Sequence, residues 1–594
     1  MGTFSEGLGK EKMIRQTFKT ARDRIPGVSL LVASLFAAAA CSAPGAGTED
    51  LAEAAVTPAD LIISGDNILT MDGSDIEAVA VTGDTISATG TKADILRYRG
   101  DGTRLIELGD HALLPGFLDA HSHITMVANT MSLANLSSPP VGTVETIADL
   151  QAQLKAKIEA DQIPPGEWVV GYGYDDSLLA EGRHPTRQDL DAVSTEHPIA
   201  IMHVSGHLAV ANTAALELTG ITAEAQDPPG GHIRREEGSA QPSGVLEESA
   251  ARPVLYKAYM PDPETVPAQV RAAMELYASE GFTTVQDGGS SLPIVNLLKA
   301  EAAKTPYPLD MVMFPTVNQV KACTADTYHD EAYTGGVRIG GVKFILDGSP
   351  QGRTAYLTEP YTLPPEGKGE DYVAYPSMLP GEVNPKVEDC LSHGVPMMLH
   401  ANGDAAIDMV IDAVGEALEE TPDVDHRTVI IHAQLIREDQ LDDVKTLGLV
   451  PSYYSAHPYF WGDWHAVIFG EARASRISPV RSTIERGIPF TIHNDAPVIP
   501  PMAMRLVDIT VNRTTRSGRT LGEAQRATPY EALYAMTMGG AYQYFEEDVK
   551  GSITTGKLAD LVILEANPLE VPTDTLADVD VIETISHGKT VYTR

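Results

Sequence analysis

The chain has 594 residues, 43% of them hydrophobic, with 82 acidic against 43 basic side chains and a formal charge of −39. That length buries a large core and excludes a tail or small module, and that charge makes nucleic acid an unsuitable partner. Beyond Cys41 only Cys323 and Cys390 remain, so no disulfide framework or cysteine-based zinc module is argued, and any metal must be held by His, Asp, Glu or Lys.

Lys10, Lys12, Arg15, Lys19, Arg22 and Arg24 precede the apolar stretch "VSLLVASLFAAAAC". Residues 1–41 therefore read as an export signal: the 13 residues from Val28 to Ala40 are too few to span a bilayer permanently, and small residues lead into Cys41. Cleavage before Cys41 would leave a lipid-bearing cysteine, although Ala38 stands where such sites usually carry leucine, so plain secretion is the alternative. The destination is then the periplasm or cell envelope, with membrane contact only through the lipid. Removing the leader, with its six basic and three acidic residues, takes the charge to −42. Residues 42–56, "SAPGAGTEDLAEAAV", are small, polar and acidic, as a tether should be.

Short β-rich runs broken by Gly-Asp pairs follow in "ADLIISGDNILTMDG" and "AVAVTGDTISATG", and the far end has the same texture in "GSITTGKLADLVILEANPL" and "VIETISHGKTVYTR". Residues 57–112 and 550–594 are expected to build one small β-sandwich from both chain ends. Between them, 113–549, strand-like runs alternate with helical stretches such as "TVPAQVRAAMELYASEG" and "NGDAAIDMVIDAVGEALEE". The candidate strands are 113–123, 282–288, 309–315, 341–348, 395–401, 428–434, 449–455 and 489–496. Eight parallel strands with intervening helices predict an α/β fold, a (β/α)8 TIM barrel, whose active site lies at the C-terminal strand ends. Residues 125–280 exceed this count, contain strand-like "EWVVGYGYDD" and "PIAIMHVSG", and read as an insertion after strand one that folds over the mouth.

Polar residues cluster at those strand ends. His121 and His123 in "PGFLDAHSHI" lie two apart, a spacing that on a strand offers both imidazoles to one point. His400 ends strand five, His432 strand six and Asp495 strand eight. Neutral imidazoles and a carboxylate suit zinc or a similar divalent ion, as one or two ions with a position left for water. Lys343 points from strand four to the same place, where an ammonium would be repelled by a cation. It is either carboxylated, N6-carboxylysine giving an anionic bridging oxygen, or ion-paired, for instance to Asp347. Glu248 on the insertion is the competing bridging carboxylate.

Together these residues resemble the amidohydrolase superfamily, and within it the YtcJ-like branch that includes N-substituted formamide deformylases. The carriers are "LLPGFLDAHSH", "GHLAVANTAAL", "PSGVLEE", "KFILDGSPQGRTAYLTEPY", "LHANGDAAID", "IIHAQLI", "AHPYFWGD" and "HNDAPV", spread over residues 57–594. The resemblance implies the barrel with its terminal sandwich, and His121, His123, His400, His432 and Asp495 as metal ligands. Asp495 would double as the base: it takes a proton from water activated by the metal, the water attacks a carbonyl, and Asp495 protonates the leaving nitrogen. One departure is Asn494, where the branch more often carries serine.

His207 and Asn212 on the insertion, Arg353 after strand four, and His457, Trp461 and Trp464 after strand seven sit on segments expected to overhang the mouth and touch a small-molecule substrate. The first expectation is hydrolysis of a non-peptide C–N bond; a lactone or carbamate ester uses the same attack, and a non-catalytic binding lipoprotein is the reading from a different class. The sequence is compatible with a homo-oligomer.

Overall fold

The computed structural model describes residues 57–259, 262–317, 322–365 and 367–594. The leader, Cys41 and the tether lie outside the described residues. No helix among the described residues is long and apolar enough to cross a membrane.

Both chain ends form four-stranded sheets. Residues Thr85–Gly90, Ala78–Thr82, Ala59–Ser64 and Arg99–Glu107 make one, in that spatial order. Lys589–Thr593, Val581–Ser586, Leu561–Leu564 and Ala112–Pro115 make the other. Alternation decides which side chains meet: Leu61, Ile63, Val79 and Val81 from the first sheet share one apolar cluster with Leu113, Leu561, Ile563 and Ile585 from the second. The strand expected over 113–123 is therefore two pieces. Ala112–Pro115 pairs antiparallel with Leu561–Leu564, and after Gly116 the short Phe117–Leu118 strand joins a different, parallel sheet. Gly116 permits this crossing, because a Cβ there would lie 2.4 Å from the Thr283 side chain.

The α/β body holds two parallel sheets, in the order Phe117–Leu118, Phe282–Ser290, Asp310–Pro315, Val337–Ile339 and Val342–Ile345, Met397–Ala401, Val429–His432, Val450–Tyr453, Thr491–Ile492. All eight expected strand positions carry strand; the fourth, expected over 341–348, is Val342–Ile345, which pairs forward, and Gly340–Gly341 separate it from a preceding short strand, Val337–Ile339, which pairs backward. A bridge between Thr316 and Lys343 links the two sheets there. At the other edge the Asp495 amide donates to the His121 carbonyl at 2.9 Å, joining the segment after the last strand to the segment after the first.

Helices between these strands bury one face. In Asp404–Glu420 the buried residues Ala406, Ile407, Val410, Ala413, Val414 and Ala417 recur at the spacing of one helical stripe. The helix Val266–Ser279, counted with the insertion from sequence, packs Val270, Ala273, Met274 and Tyr277 into this same large core. The insertion proper carries a six-stranded sheet, from Ala134–Asn135 through Val169–Tyr174, Ile199–His203, Leu208–Ala211 and Pro242–Glu248 to Gly231–Arg235, with apolar clusters of its own.

The sequence argued no disulfide framework, whereas the structure joins Cys323 to Cys390, 67 positions apart with Cα atoms 4.7 Å apart. The Asp389 carboxylate, which accepts from the Cys323 amide at 2.7 Å, holds the two segments together.

Candidate metal centre

His121 and His123 stand beyond the Phe117–Leu118 strand rather than on it. The convergence expected of a strand survives because backbone bonds hold this extension on both sides: His123 N to Ala496 O, and Gly288 N to Ser122 O, each 2.8 Å. Asp495, three residues past its own strand, places Oδ1 3.5 Å from His121 Nε2 and 3.4 Å from His123 Nε2. His432 ends its strand with Nε2 3.2 Å from His400 Nδ1. Ligand atoms of His121, His432 and Asp495 all lie within 4.8 Å of one another. Lys343 Nζ is 3.0 Å from His121 Nε2.

Hydrogen-bond partners orient the rings. Gln286 Oε1 accepts from His121 Nδ1 at 2.5 Å, which leaves the Nε2 lone pair facing Lys343 Nζ at 3.0 Å and the Asp495 carboxylate at 3.5 Å. His493 Nδ1 lies 2.8 Å from Ser452 Oγ and its Nε2 3.2 Å from His432 Nδ1; with Ser452 accepting, His493 accepts from His432 and leaves His432 Nε2 facing inward unprotonated. His400 Nε2 lies 3.2 Å from the Gly348 carbonyl and 3.0 Å from Asn402 Nδ2, and its Nδ1 lies 3.2 Å from His432 Nε2. Ring nitrogens and a carboxylate brought this close together suit a cation among them.

Burial pushes the same way. It drives the imidazolium forms of His121, His400 and His432 far down, helped for His121 by Lys343, for His400 by His207, and for His432 by His400. His493 is taken down to about 3 by desolvation. Desolvation also brings Lys343 to about 7, against the pull of Asp495. The anticipated Lys343–Asp347 ion pair is not formed: Asp347 instead accepts backbone N–H groups from Asn402, Gly403 and Tyr356, and burial lifts it to about 7.

The backbone is strained where the donors meet. His432 has φ 73°, Ala433 46° and Asp495 52°, a region that side-chain-bearing residues enter only when their surroundings hold them there.

A cavity of about 220 Å³ opens from the centre toward the insertion, with His123, His207, Glu248, His400 and Asp495 in its wall. His207 Nδ1 donates to Glu248 Oε2 at 2.9 Å. Burial alone would lower the His207 pKa, and the Glu248 carboxylate outweighs it, so the value is raised. Glu248, the alternative bridging carboxylate, gives Oε2 to His207 and keeps its buried Oε1 without a hydrogen-bond partner among the described residues. His457 is buried in a smaller adjoining space with Tyr454 and Asn402, its ring 6.5 Å from that of His432.

Three expected substrate contacts are corrected. Asn212 is fully buried and caps the helix Thr213–Thr219: its Oδ1 accepts from Ala215 and Ile199 amides while its Nδ2 donates to Ser194 and His197 carbonyls. Trp461 gives its indole N–H to Asp175 at 2.6 Å and is buried outside the cavity. Arg353 stacks 5.3 Å over Trp464, which itself bonds the Gln351 carbonyl. Asn212 and Trp461 spend their polar groups on structure; Arg353 bonds the Pro364 carbonyl at 3.3 Å and keeps a buried Nε without a partner among the described residues.

His493 and Gln286 orient the cluster and were missed from sequence. His493 had a usable signal, since it precedes Asp495 by the two-residue spacing that singled out His121 and His123; Gln286 in "FTTVQDG" had none. Two further groups, Asp175–Asp176–His203 and Asp310–Asp560–His587, also bring three donors together. In the first, Asp176 accepts from both His203 and His184, and in the second Lys550 Nζ sits 2.6 Å from Asp310, so protein hydrogen atoms already occupy these groups.

Comparison with known proteins agrees with this architecture. The chain is 28% identical over 551 residues to an N-substituted formamide deformylase of Arthrobacter pascens, covering 90% of this chain and 98% of the relative. It is 26% identical over 538 residues to the putative amidohydrolase YtcJ of Bacillus subtilis (strain 168), covering 88% and 97%. Among solved structures, an uncharacterized metal-dependent hydrolase from Pyrococcus horikoshii shares the fold with a TM-score of 0.67 at 22% identity, over 86% of this chain and 99% of that one. The description of the amidohydrolase family matches residues 104–592, and the chain belongs to that family.

Proposed function

We propose that the chain is an exported, metal-dependent hydrolase that cleaves a non-peptide C–N bond, in an amide or N-substituted formamide. The carrying observation is the convergence of ligand atoms of His121, His432 and Asp495 within 4.8 Å of one another, with His123 Nε2 3.4 Å from Asp495 Oδ1 and His400 Nδ1 3.2 Å from His432 Nε2. His121, His123, His400, His432 and Asp495 would hold a divalent ion, most suitably zinc, because neutral imidazoles with one carboxylate match its ligand preference. Bound there, the ion supplies Lewis acidity that makes water nucleophilic near neutral pH and polarises a carbonyl.

Asp495 Oδ is then positioned to take the proton of the attacking water and return it to the leaving nitrogen. His432 is held by His493, itself held by Ser452, and with Ser452 accepting this relay keeps His432 Nε2 unprotonated. The insertion covers the cavity and limits water. Lys343, buried beside His121 with no ion pair among the described residues, would carry a carbamate: its neutral amine adds carbon dioxide and releases one proton, giving an anionic oxygen for a second ion. His207 and His457 would contact substrate.

In this reading the eight parallel strands close as a (β/α)8 barrel over 113–549, and the two terminal sheets form a β-sandwich from 57–112 and 550–594. Residues 1–41 direct export to the envelope, with Cys41 as lipid site, and the Cys323–Cys390 bond suits that oxidising compartment.

Metal analysis with a screen of N-substituted formamides, acyl amides and lactones tests the proposal. Expected are at least one ion per chain and formamide or amide hydrolysis that a chelator removes and zinc restores. Hydrolysis confined to lactones would reassign the bond, and a metal-loaded protein inert to every compound would make it a binding lipoprotein. Lys343→Ala should lower metal content and recover part of it with added short-chain carboxylic acid; full native loading would leave the one-ion centre.

A further inference from the structure

The cavity has a chemical asymmetry that the metal centre does not explain. Its walls are largely apolar, with Met126, Leu255, Ile345, Pro497 and Val498. Its other polar groups are mostly spent within the protein. Ser205 Oγ bonds His203 Nδ1, Ser249 Oγ donates to the Pro229 carbonyl, and Glu248 Oε2 holds His207. Asp495 faces His121 and His123. Arg252, at the start of the helix Arg252–Ala258, lines the same cavity, is exposed, and has no hydrogen-bond or ion-pair partner among the described residues.

The chain has 82 acidic and 43 basic residues, and some arginines collect carboxylates: Arg437 pairs with Asp404, Asp408 and Asp439, and Arg427 with Asp425 and Glu547. Others, such as Arg353 and Arg513, bond backbone carbonyls, whereas Arg252 has neither kind of partner among the described residues and lines the cavity. At the cavity, the one carboxylate on the neighbouring turn, Glu248, is turned to His207. A guanidinium left open at the edge of an apolar cavity matches a planar anion, which it holds through two parallel N–H bonds.

We propose that Arg252 selects a substrate bearing a carboxylate, so that the amide cleaved belongs to an anionic N-acyl compound whose apolar part lies against Met126, Leu255 and Val498. This rests on the amide-hydrolysis reading above. Because Arg252 is exposed, its contribution is discounted for solvent and is expected to be about tenfold in kcat/KM, carried mainly by KM.

The test compares N-formylphenylalanine, as each enantiomer, with N-(2-phenylethyl)formamide, which has the same skeleton without the carboxylate, on the full zinc-loaded chain. Wild type should favour one enantiomer of the acid by about tenfold or more in kcat/KM. Arg252→Met should abolish that preference while leaving the neutral formamide within about twofold, and Arg252→Lys, which keeps charge but not the fork, should fall between. Unchanged melting temperatures would exclude misfolding of these surface variants. Equal wild-type rates for acid and neutral compound, or an equal loss on both in Arg252→Met, would overturn the proposal while sparing amide hydrolysis. If neither compound is cleaved, the hydrolysis reading fails separately, and calorimetry on chelator-treated protein decides this one. Acid binding at least about tenfold tighter than neutral, lost in Arg252→Met, supports it; equal or undetectable binding of both overturns it.

Discussion

Asp495 combines three demands in one residue: a backbone at φ 52°, an amide bonded to the His121 carbonyl, and a carboxylate oxygen between two imidazoles. Asparagine keeps the shape, tolerates that φ and retains an oxygen ligand, but cannot accept a proton. Asp495→Asn is thus expected to retain metal within about twofold and lose about 10²–10⁴ in kcat; undiminished turnover would remove Asp495 from the role of base. His493 acts one step further out. His493→Phe fills the space but releases His432 Nδ1, so metal affinity should drop about 10–100-fold while kcat at saturating metal falls far less; unaltered affinity in a metal titration would count against the relay. Much of the centre was legible in sequence because its donors are metal-ligating types at the ends of apolar runs. The failures have a common cause. Trp461 is tied to Asp175, 286 positions away, and Asn212 to the backbone it caps, pairings that no local pattern announces.

At the scale of elements, apolar runs bounded by turn residues fell on strand at all eight expected positions, since burial on both faces demands continuous Val, Ile, Leu and Phe, but missed the short parallel strands Ala134–Asn135 and Val337–Ile339. Breaks inside strands were not legible, because they depend on what the neighbouring strand brings. Gly341 has φ 147° and a Cβ there would stand 2.1 Å from the Pro396 carbonyl, so the fourth strand must part where that carbonyl arrives. The Cys323–Cys390 link was missed for the same reason: two cysteines 67 apart carry no pairing signal until the helix Pro380–Ser392 lies beside the segment after Asp310–Pro315. A closed loop of this length restricts the unfolded chain, and losing it should cost about 2–4 kcal/mol. Cys323→Ser is expected to lower the melting temperature and abolish its sensitivity to dithiothreitol, whereas wild type falls on reduction toward the variant. A wild-type melt indifferent to dithiothreitol, with both thiols shown reduced, would deny the bond a stabilising role.

Over the whole molecule, the C-terminal sheet is locked to the parallel strands by a buried charge network as well as by apolar contact. Asp310, at the start of its strand, receives Lys550 Nζ at 2.6 Å and His587 Nε2 at 3.1 Å, the latter from the turn between Val581–Ser586 and Lys589–Thr593. The Asp310 hydrogen bond raises the His587 pKa to about 9, and Asp310 itself is held low, so only the histidine changes charge in the alkaline range. A proton bound more tightly in the folded state than in the unfolded one stabilises fully below about pH 6.5 and is lost as pH climbs through about 9. Lys557 works in the opposite sense, since burial depresses it to about 8, which makes the bare pH profile of stability a mixture. The difference between wild type and His587→Asn isolates the histidine, and asparagine tolerates the φ of 49° at this turn. The variant should melt clearly below wild type at pH 6.5 and converge on it by about pH 10; a gap that stays constant across that range would mean that His587 contributes shape rather than charge.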